Sequence, residues 1–195
     1  ENGAVIRERE KELASTPLSP ELVHNLVRLV QSIENASVML CGKSTSYFDG
    51  SSSKFLNDLV EYYSEYKIVP HFDAIEEEIV KIAVYHNISS ETFLYPRVKD
   101  YSQEVLIKVS GQHWMDINHI HAHKGNALKK VMHTLGINSN EVLVFGDYFN
   151  DIEMLDSVEN SFAMANAHPK VKAVAKYSTL SNNEFGVENV LEKLL

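Results

Sequence analysis

The sequence predicts an α/β protein that contains a doubly wound parallel sheet and a separate α+β module. After about residue 117, strand and helix patterns alternate at the spacing of βαβ units, which is typical of a parallel sheet. Between about residues 13 and 116, the expected strands and helices occur in clusters instead. The chain therefore has two parts with different architecture.

In chain order, local patterns indicate the elements before residue 117. A strand at 4–6 follows the turn signal Asn2-Gly3, and the charged residues 7–12 lead to a linker at 15–20. Ser19-Pro20-Glu21 has the cap, the N1 proline and the acidic first turn of a helix start. Ser90 is expected to cap a short helix that Pro96 ends. Further strands are expected at 38–41, 79–85, 104–110 and 114–117, and a second amphipathic helix carries Phe55, Leu56, Leu59, Tyr62 and Tyr63.

The last third of the chain has the clearest pattern. A helix over 124–135 is closed by Gly136, a typical residue after a helix end. The expected elements that follow are a strand at 142–145, a helix from about Asn150, a strand at 161–165, a helix that begins at Pro169 and a terminal helix at 187–194.

Composition excludes several classes of function. The 195 residues carry a formal charge of −9, so the phosphate backbone of a nucleic acid is not an expected partner. No apolar run approaches the ~18 residues that span a bilayer, so we expect no membrane partner. Cys41, the single cysteine, lies in an apolar run; a buried, reduced thiol favours a cytoplasmic location. The sequence does not predict an oligomeric state.

Two motifs suggest functions that their surroundings do not support. Cys41-Gly-Lys-Ser-Thr45 ends like a phosphate-binding P-loop, but the first glycine of that pattern is missing and its position falls inside a strand. His119-Ile-His-Ala-His123 could bring imidazoles together, but no cysteine or acid at matching spacing completes a metal site. We interpret these histidines as exposed linker residues.

The main candidate site follows the strand at 142–145. Asp147 comes just beyond the expected carboxyl end of that strand, where open α/β sheets bind ligands, and Asn150 and Asp151 follow within one helical turn. Two carboxylates close together repel each other unless a cation joins them, and hard oxygen ligands suit magnesium. The alternative is that Asp147 is simply a helix N-cap.

Lys124, at the start of the preceding helix, favours the functional interpretation. A lysine is disfavoured at a helix N-terminus by the helix dipole, so its presence there requires another reason. In a βαβ unit this helix could begin near the same sheet edge, where an ammonium can contact a phosphoryl oxygen and a carboxylate. An acidic protein that binds a phosphorylated substrate needs such a local cation. Alone, Lys124 would be read as a solvated surface lysine.

The order and spacing of these motifs resemble a known family. Lys124-Gly-x-Ala-Leu128, Leu135-Gly-Ile137 and Phe145-Gly-Asp-x-x-Asn-Asp-x-x-Met-Leu155 are similar to the C-terminal half of a haloacid dehalogenase-superfamily phosphatase of the Cof type, subfamily IIB. Segments 163–167, 171–172 and 181–187 continue the resemblance, and residues 2–6 resemble the segment with which the family enters its cap domain. The resemblance implies a Rossmann-like core formed by residues 1–12 and 117–195, with a type C2B cap inserted at 13–116.

The resemblance also implies roles for the candidate residues. Asp147 would bind Mg²⁺, Asn150 would orient the phosphoryl group or a metal-bound water, and Asp151 would hold Lys124 or a metal water. Lys124 would pair with the nucleophile and with the substrate phosphate. The expected reaction is hydrolysis of a small phosphorylated metabolite, such as a sugar phosphate, through an aspartyl-phosphate. A phosphomutase of the same superfamily and a non-catalytic binding or regulatory module are the alternatives.

One departure from the family pattern is large. The family carries its nucleophile in an Asp-x-Asp-Gly-Thr motif on the first strand, followed later by a phosphate-binding Ser or Thr, and the sequence contains neither. Asp49-Gly50, the nearest match, is interpreted as a turn. We therefore expect this chain to be the C-terminal portion of a phosphatase, preceded by roughly 70 residues that form two βα units. Alone it is expected to be inactive.

Overall fold

The expected α/β architecture is confirmed in a computed structural model, which describes residues 2–9, 11–52, 55–56 and 65–194. The chain forms two compact units: Gly3–Ala122, and His123–Leu195 together with Asn2. The boundaries of core and cap given above stay a prediction. None of the helices in the described part of the chain has the length and apolar character that a bilayer span needs.

The first unit is built on a mixed sheet. In the described residues its strand order is β5-β4-β3-β6-β8-β7, and all neighbouring pairs are antiparallel except β4 and β5. The strands are β3 Ala36–Gly42, β4 Ser46–Phe48, β5 Lys67–Ile68, β6 Ile79–His86, β7 Val105–Val109 and β8 Trp114–His119. β4 and β5 were not predicted, since both are three residues or shorter.

A hairpin at the start of the chain was also missed. Strands β1, Val5–Glu8, and β2, Lys11–Ser15, pair antiparallel, where the sequence indicated a three-residue strand and a charged run that leads to a linker. The charges stand opposite one another in the ladder, Arg7 across from Glu12 and Glu8 across from Lys11. Opposite charges at facing positions stabilise a strand pair, so the charged run is compatible with a hairpin.

Helix α1, Pro20–Gln31, begins as predicted. The Ser19 hydroxyl accepts a hydrogen bond from the amide of Leu22 at 3.3 Å, and Pro20 occupies the first turn. Buried residues Leu26 and Val30 pack with Leu40 in a core between this helix and one face of the sheet. The opposite face holds Cys41, which is buried, as expected.

Two details of the helices in the first unit differ from the prediction. Ser89, not Ser90, caps helix α2, Ser90–Phe93: its hydroxyl accepts from the amide of Thr92, whereas buried Ser90 donates to the carbonyl of Gly111. Pro96 lies in the first turn of a further helix, α3, Tyr95–Val98, where proline is well tolerated. Of the second amphipathic helix, Phe55 and Leu56 are helical, and Leu59, Tyr62 and Tyr63 lie outside the described residues.

The P-loop-like segment of residues 41–45 comprises the end of β3 and the turn that leads to β4. The Glu77 carboxylate accepts hydrogen bonds from both the amide and the hydroxyl of Ser44 at 2.6 Å, and from the Tyr47 hydroxyl at 2.8 Å. A Cβ on Gly42 would overlap the Glu77 carboxylate, so glycine leaves room for this approach. The amide and the hydroxyl of Ser44 are thus occupied by an internal carboxylate and not by a phosphate.

The second unit contains the predicted parallel sheet, in the order β11-β10-β9 within the described residues. The strands are β9 Leu143–Gly146, β10 Asn160–Ala163 and β11 Tyr177–Ser178; the helices are α4 Lys124–Leu135, α5 Ile152–Asp156, α6 Pro169–Lys172 and α7 Gly186–Leu191. Gly136 ends α4 in the left-handed conformation, at φ 67°, as expected. The two-residue strand β11 was not predicted.

The contact between Tyr47 and Glu77 predicts a pH effect. Burial, together with the hydrogen bond to Glu77, raises the pKa of Tyr47 to about 12. Its contribution to stability is therefore complete below about pH 10, the ordinary tyrosine pKa, and is lost as the pH rises toward about 12. In a titration followed by tyrosinate absorbance, the component near pH 12 should decrease by one tyrosine in Tyr47→Phe and stay unchanged in Tyr95→Phe, an exposed position. A component near pH 12 that is equally large in Tyr47→Phe would contradict the assignment.

Candidate active site

The candidate residues of the second unit lie at the carboxyl end of β9. The strand ends at Gly146, Asp147 follows, and a 3₁₀ turn over Phe149–Asp151 leads into α5. Asp147 is exposed and precedes the N-cap position, which Tyr148 occupies. The Asp147 side chain does not cap this helix, because its carboxylate accepts a hydrogen bond from Asn166, a residue of another loop.

An ion pair joins the loop after β9 to the start of α4. Lys124 Nζ lies 2.6 Å from Asp151 Oδ1, and the two side chains are 38% and 6% exposed. The other oxygen, Asp151 Oδ2, accepts hydrogen bonds from the amides of Asp147 at 3.1 Å and Tyr148 at 3.3 Å. Such charge-assisted bonds are stronger than neutral ones, so Asp151 fixes both the lysine and the backbone of the loop.

Two glycines make these close contacts possible. A Cβ on Gly146 would lie 2.6 Å from the Cβ of Asp151, and a Cβ on Gly125 would lie 2.5 Å from the carbonyl oxygen of Glu153. Both distances are far below ordinary contact. Gly146 therefore lets Asp151 fold back over the strand end, and Gly125 lets the first turn of α4 approach α5, which brings Lys124 to Asp151.

Asp147 is oriented by a residue that the sequence analysis did not select. Asn166, in the loop after β10, donates from Nδ2 to Asp147 Oδ2 at 3.1 Å. Within the described residues, Asp147 Oδ1 has no hydrogen-bond partner. The motif 163–167 was recognised only as part of the family resemblance. The signal available for Asn166 was its place just beyond the neighbouring parallel strand, because such strands end at the same sheet edge.

The donor set fits a magnesium ion. An exposed carboxylate with one oxygen available is a hard ligand, and Mg²⁺ is held by one or two carboxylates together with water and substrate phosphate. Asp151 is not available, since both of its oxygens are engaged. In the described part of the chain, no group of three or more acids, histidines or cysteines could hold a metal ion alone. Asp147 would thus be the main ligand that this chain contributes to a magnesium site.

Asn150 connects the same loop to the start of the chain. Its Nδ2 donates to Asn2 Oδ1 at 3.3 Å, across 148 residues of sequence. Asn2 belongs to the second unit by its contacts. The side-chain amide of Asn150 therefore links this loop to the beginning of the chain. Asn150 also stays a candidate for contact with substrate.

Two histidines of the 119–123 segment accept hydrogen bonds from backbone amides. His119 Nδ1 accepts from the amide of His121 at 3.1 Å, and His123 Nδ1 accepts from the amide of Asn126 at 3.3 Å as the N-cap of α4. His121 is exposed, as expected, but His119 lies in β8 and His123 is half-buried, so the description as exposed linker residues was wrong for these two.

Comparison with known proteins identifies the family. A model of haloacid dehalogenase-like hydrolases matches residues 1–191. The chain belongs to this family. The 5-amino-6-(5-phospho-D-ribitylamino)uracil phosphatase YbjI of Escherichia coli is 34% identical to it, in an alignment that covers 100% of this chain and 73% of that protein.

Solved structures agree with this assignment. A crystal structure of a protein from Eubacterium rectale matches with a TM-score of 0.91 at 25% identity, over 100% of this chain and 75% of the other. A sugar phosphatase of subclass IIB has the same fold, with a TM-score of 0.76 at 19% identity, over 99% of this chain and 73% of the other. The resemblance to haloacid dehalogenase-like phosphatases of the Cof type is confirmed.

The close approach at Gly125 gives a testable prediction for this hydrolase. Gly125→Ala should destabilise the second unit by about 1–3 kcal/mol, because the new Cβ meets a backbone carbonyl that cannot rotate away. This change in the free energy of unfolding is opposite to the intrinsic preference of helices, in which alanine is favoured over glycine by up to ~1 kcal/mol. Urea unfolding and hydrogen exchange of the α4 amides measure the effect.

Gly111→Ala is the control for this substitution. A Cβ at Gly111 meets nothing within 4 Å, so a change within about 0.5 kcal/mol is expected. Equal stability of Gly125→Ala and the unmodified protein would show that α4 and α5 do not pack as described.

Proposed function

We propose that this chain is part of a magnesium-dependent phosphatase that hydrolyses a small phosphorylated metabolite, such as a sugar phosphate. The observation that supports it best is the ion pair of Lys124 with Asp151 beside exposed Asp147, at the carboxyl end of a parallel strand. One ammonium group and one available carboxylate together can bind a phosphate directly and through a cation. The relatives named as phosphatases support the same reaction class.

In this proposal Lys124 binds the phosphoryl group. An ammonium has three N–H donors, and Asp151 uses one of them in the described structure. The side chain is more than one third exposed, so the remaining donors can reach a substrate oxygen. Asp151 keeps the ammonium in place, and the hydrogen bonds that Asp151 accepts from the two loop amides keep its carboxylate in place.

Asp147 would hold the magnesium ion through Oδ1, with Asn150 contacting the phosphoryl group or its water. When bound, the ion supplies Lewis-acid stabilisation of the charge on the phosphoryl oxygens. The local positive charge also offsets the repulsion between a net charge of −9 and an anionic substrate. Orientation and charge neutralisation are the main catalytic contributions that these residues can make.

The nucleophile completes the proposal. We place it on residues outside this chain, in the Asp-x-Asp motif of the family. Its carboxylate would take the phosphoryl group as the P–O bond to the substrate breaks and the alcohol leaves, and water would then hydrolyse the aspartyl-phosphate. The relative from Escherichia coli is named for a substrate with a phosphate on a ribityl chain, so sugar-like and polyol phosphates form the first test panel.

Asp147→Ala should reduce phosphate release by at least about 100-fold in the protein that includes the residues preceding Glu1, because the metal ligand is removed. Asp156→Ala, an exposed carboxylate at the end of α5, is the matched control and should retain activity. Release of inorganic phosphate with added Mg²⁺ is the measurement. Residues 1–195 alone should be inactive.

Each other outcome has a definite meaning. Equal activity of residues 1–195 and the longer protein would refute a nucleophile outside this chain. Transfer of the phosphate back to sugar without release would indicate a phosphomutase. Absence of turnover in both forms would indicate a binding or regulatory module.

Lys124→Ala should lower kcat by roughly 100-fold or more, since a charged donor to the transferred group is lost. It should also destabilise the fold by about 1–3 kcal/mol, because Asp151 is left buried without its cation. Lys129→Ala removes an exposed lysine from the same helix and should change neither quantity. Full activity of folded Lys124→Ala would remove Lys124 from the site.

A further inference from the structure

The loop that follows β10 is fixed against the loop that follows β9 by backbone hydrogen bonds. The amide of Met164 donates to the carbonyl of Gly146 at 3.0 Å, and the amide of His168 donates to the carbonyl of Asp147 at 3.3 Å. Asn166 lies between these two attachments. Its backbone therefore has a defined position relative to the backbone of Asp147.

The side-chain amide of Asn166 has a defined orientation as well. Its Oδ1 accepts from the amide of Asn182 at 3.3 Å, and its Nδ2 donates to Asp147 Oδ2 at 3.1 Å. Reversal of the amide would place an oxygen against the Asp147 carboxylate and an NH₂ group against the Asn182 N–H, which is unfavourable on both sides. The two partners thus specify the same orientation.

The consequence concerns the carboxylate of Asp147. A hydrogen bond to Oδ2 fixes the rotation of an exposed side chain that would otherwise sample several rotamers. It also occupies one oxygen and leaves Oδ1 for a second partner. A cation ligand whose orientation is set in advance binds more tightly than a freely rotating one, since less conformational entropy is lost on binding.

We propose that Asn166 is a positioning residue that presents Asp147 Oδ1 to the divalent cation, with the backbone amide of Asn182 holding Asn166 in turn. The inference rests on the function proposed above. Asn166 acts through Asp147 and is not proposed to contact the substrate. This positioning role predicts a specific loss of metal affinity when the Asn166 side chain is removed.

The test compares Asn166→Ala with Asn160→Ala. Asn160 is the first residue of β10, at the opposite end of the strand, and its side chain is likewise engaged, in a hydrogen bond to the carbonyl of Asn140. In the protein that includes the residues preceding Glu1, we measure the Kd for Mn²⁺ alone by electron paramagnetic resonance, and the Mg²⁺ dependence of phosphate release. Asn166→Leu, similar in size but without hydrogen-bonding groups, is the second variant if Asn166→Ala does not fold.

For Asn166→Ala we expect the Mn²⁺ Kd and the Mg²⁺ concentration for half-maximal activity to rise roughly ten- to hundredfold, with kcat at saturating Mg²⁺ within a few-fold of the parent. Asn160→Ala should change neither. Unchanged metal affinity in a folded Asn166 variant would overturn the inference, and so would a loss of kcat that excess Mg²⁺ does not restore.

The two proposals fail in different ways. If Asp147→Ala abolishes Mn²⁺ binding and activity while the Asn166 variants bind Mn²⁺ normally, the proposed function stands and the role of Asn166 is refuted. If Asp147→Ala itself binds Mn²⁺ and releases phosphate normally, the metal role of Asp147 fails, and the role of Asn166 fails with it.

Discussion

The arrangement of the second unit depends on a single buried carboxylate, that of Asp151. It accepts one hydrogen bond from the Lys124 ammonium and two from the amides after β9. A buried carboxylate is costly unless it is paired and hydrogen-bonded, so the chain supplies a cation and two amides at one point. The glycines at 125 and 146 follow from this demand, since a Cβ at either position would prevent the approach.

The same constraint separates the roles of the two acids of the motif. From sequence, Asp147 and Asp151 are two carboxylates four residues apart, which could share one cation. In the structure Asp151 is enclosed and engaged at both oxygens, whereas Asp147 is exposed and has one oxygen available. Asp151 therefore stabilises the loop and the lysine, and Asp147 is the acid that can still bind a ligand.

The sequence predicted this part of the chain well because the signals are local. The helix from Lys124, its end at Gly136 and the strand before Asp147 each depend on a few consecutive residues. The missed features depend on pairing between distant segments. The hairpin at 5–15 is recognisable only when its charges are placed opposite one another, and Asn166 acquires its role only where two loops meet at one sheet edge.

A comparison between the two units shows why a motif alone does not establish a site. In both, an internal carboxylate, Glu77 or Asp151, accepts a hydrogen bond from a backbone amide of a turn, beside a glycine without room for a Cβ. In the first unit the nearby lysine, Lys43, is shared by Glu78 and Glu12, and its hydrogen bonds to Glu78 and then Glu12 raise its pKa. The charge of Lys43 is thus already paired with two carboxylates. Lys124 is balanced once and is more exposed, so the second unit, not the P-loop-like turn of the first, has charge available for a phosphate.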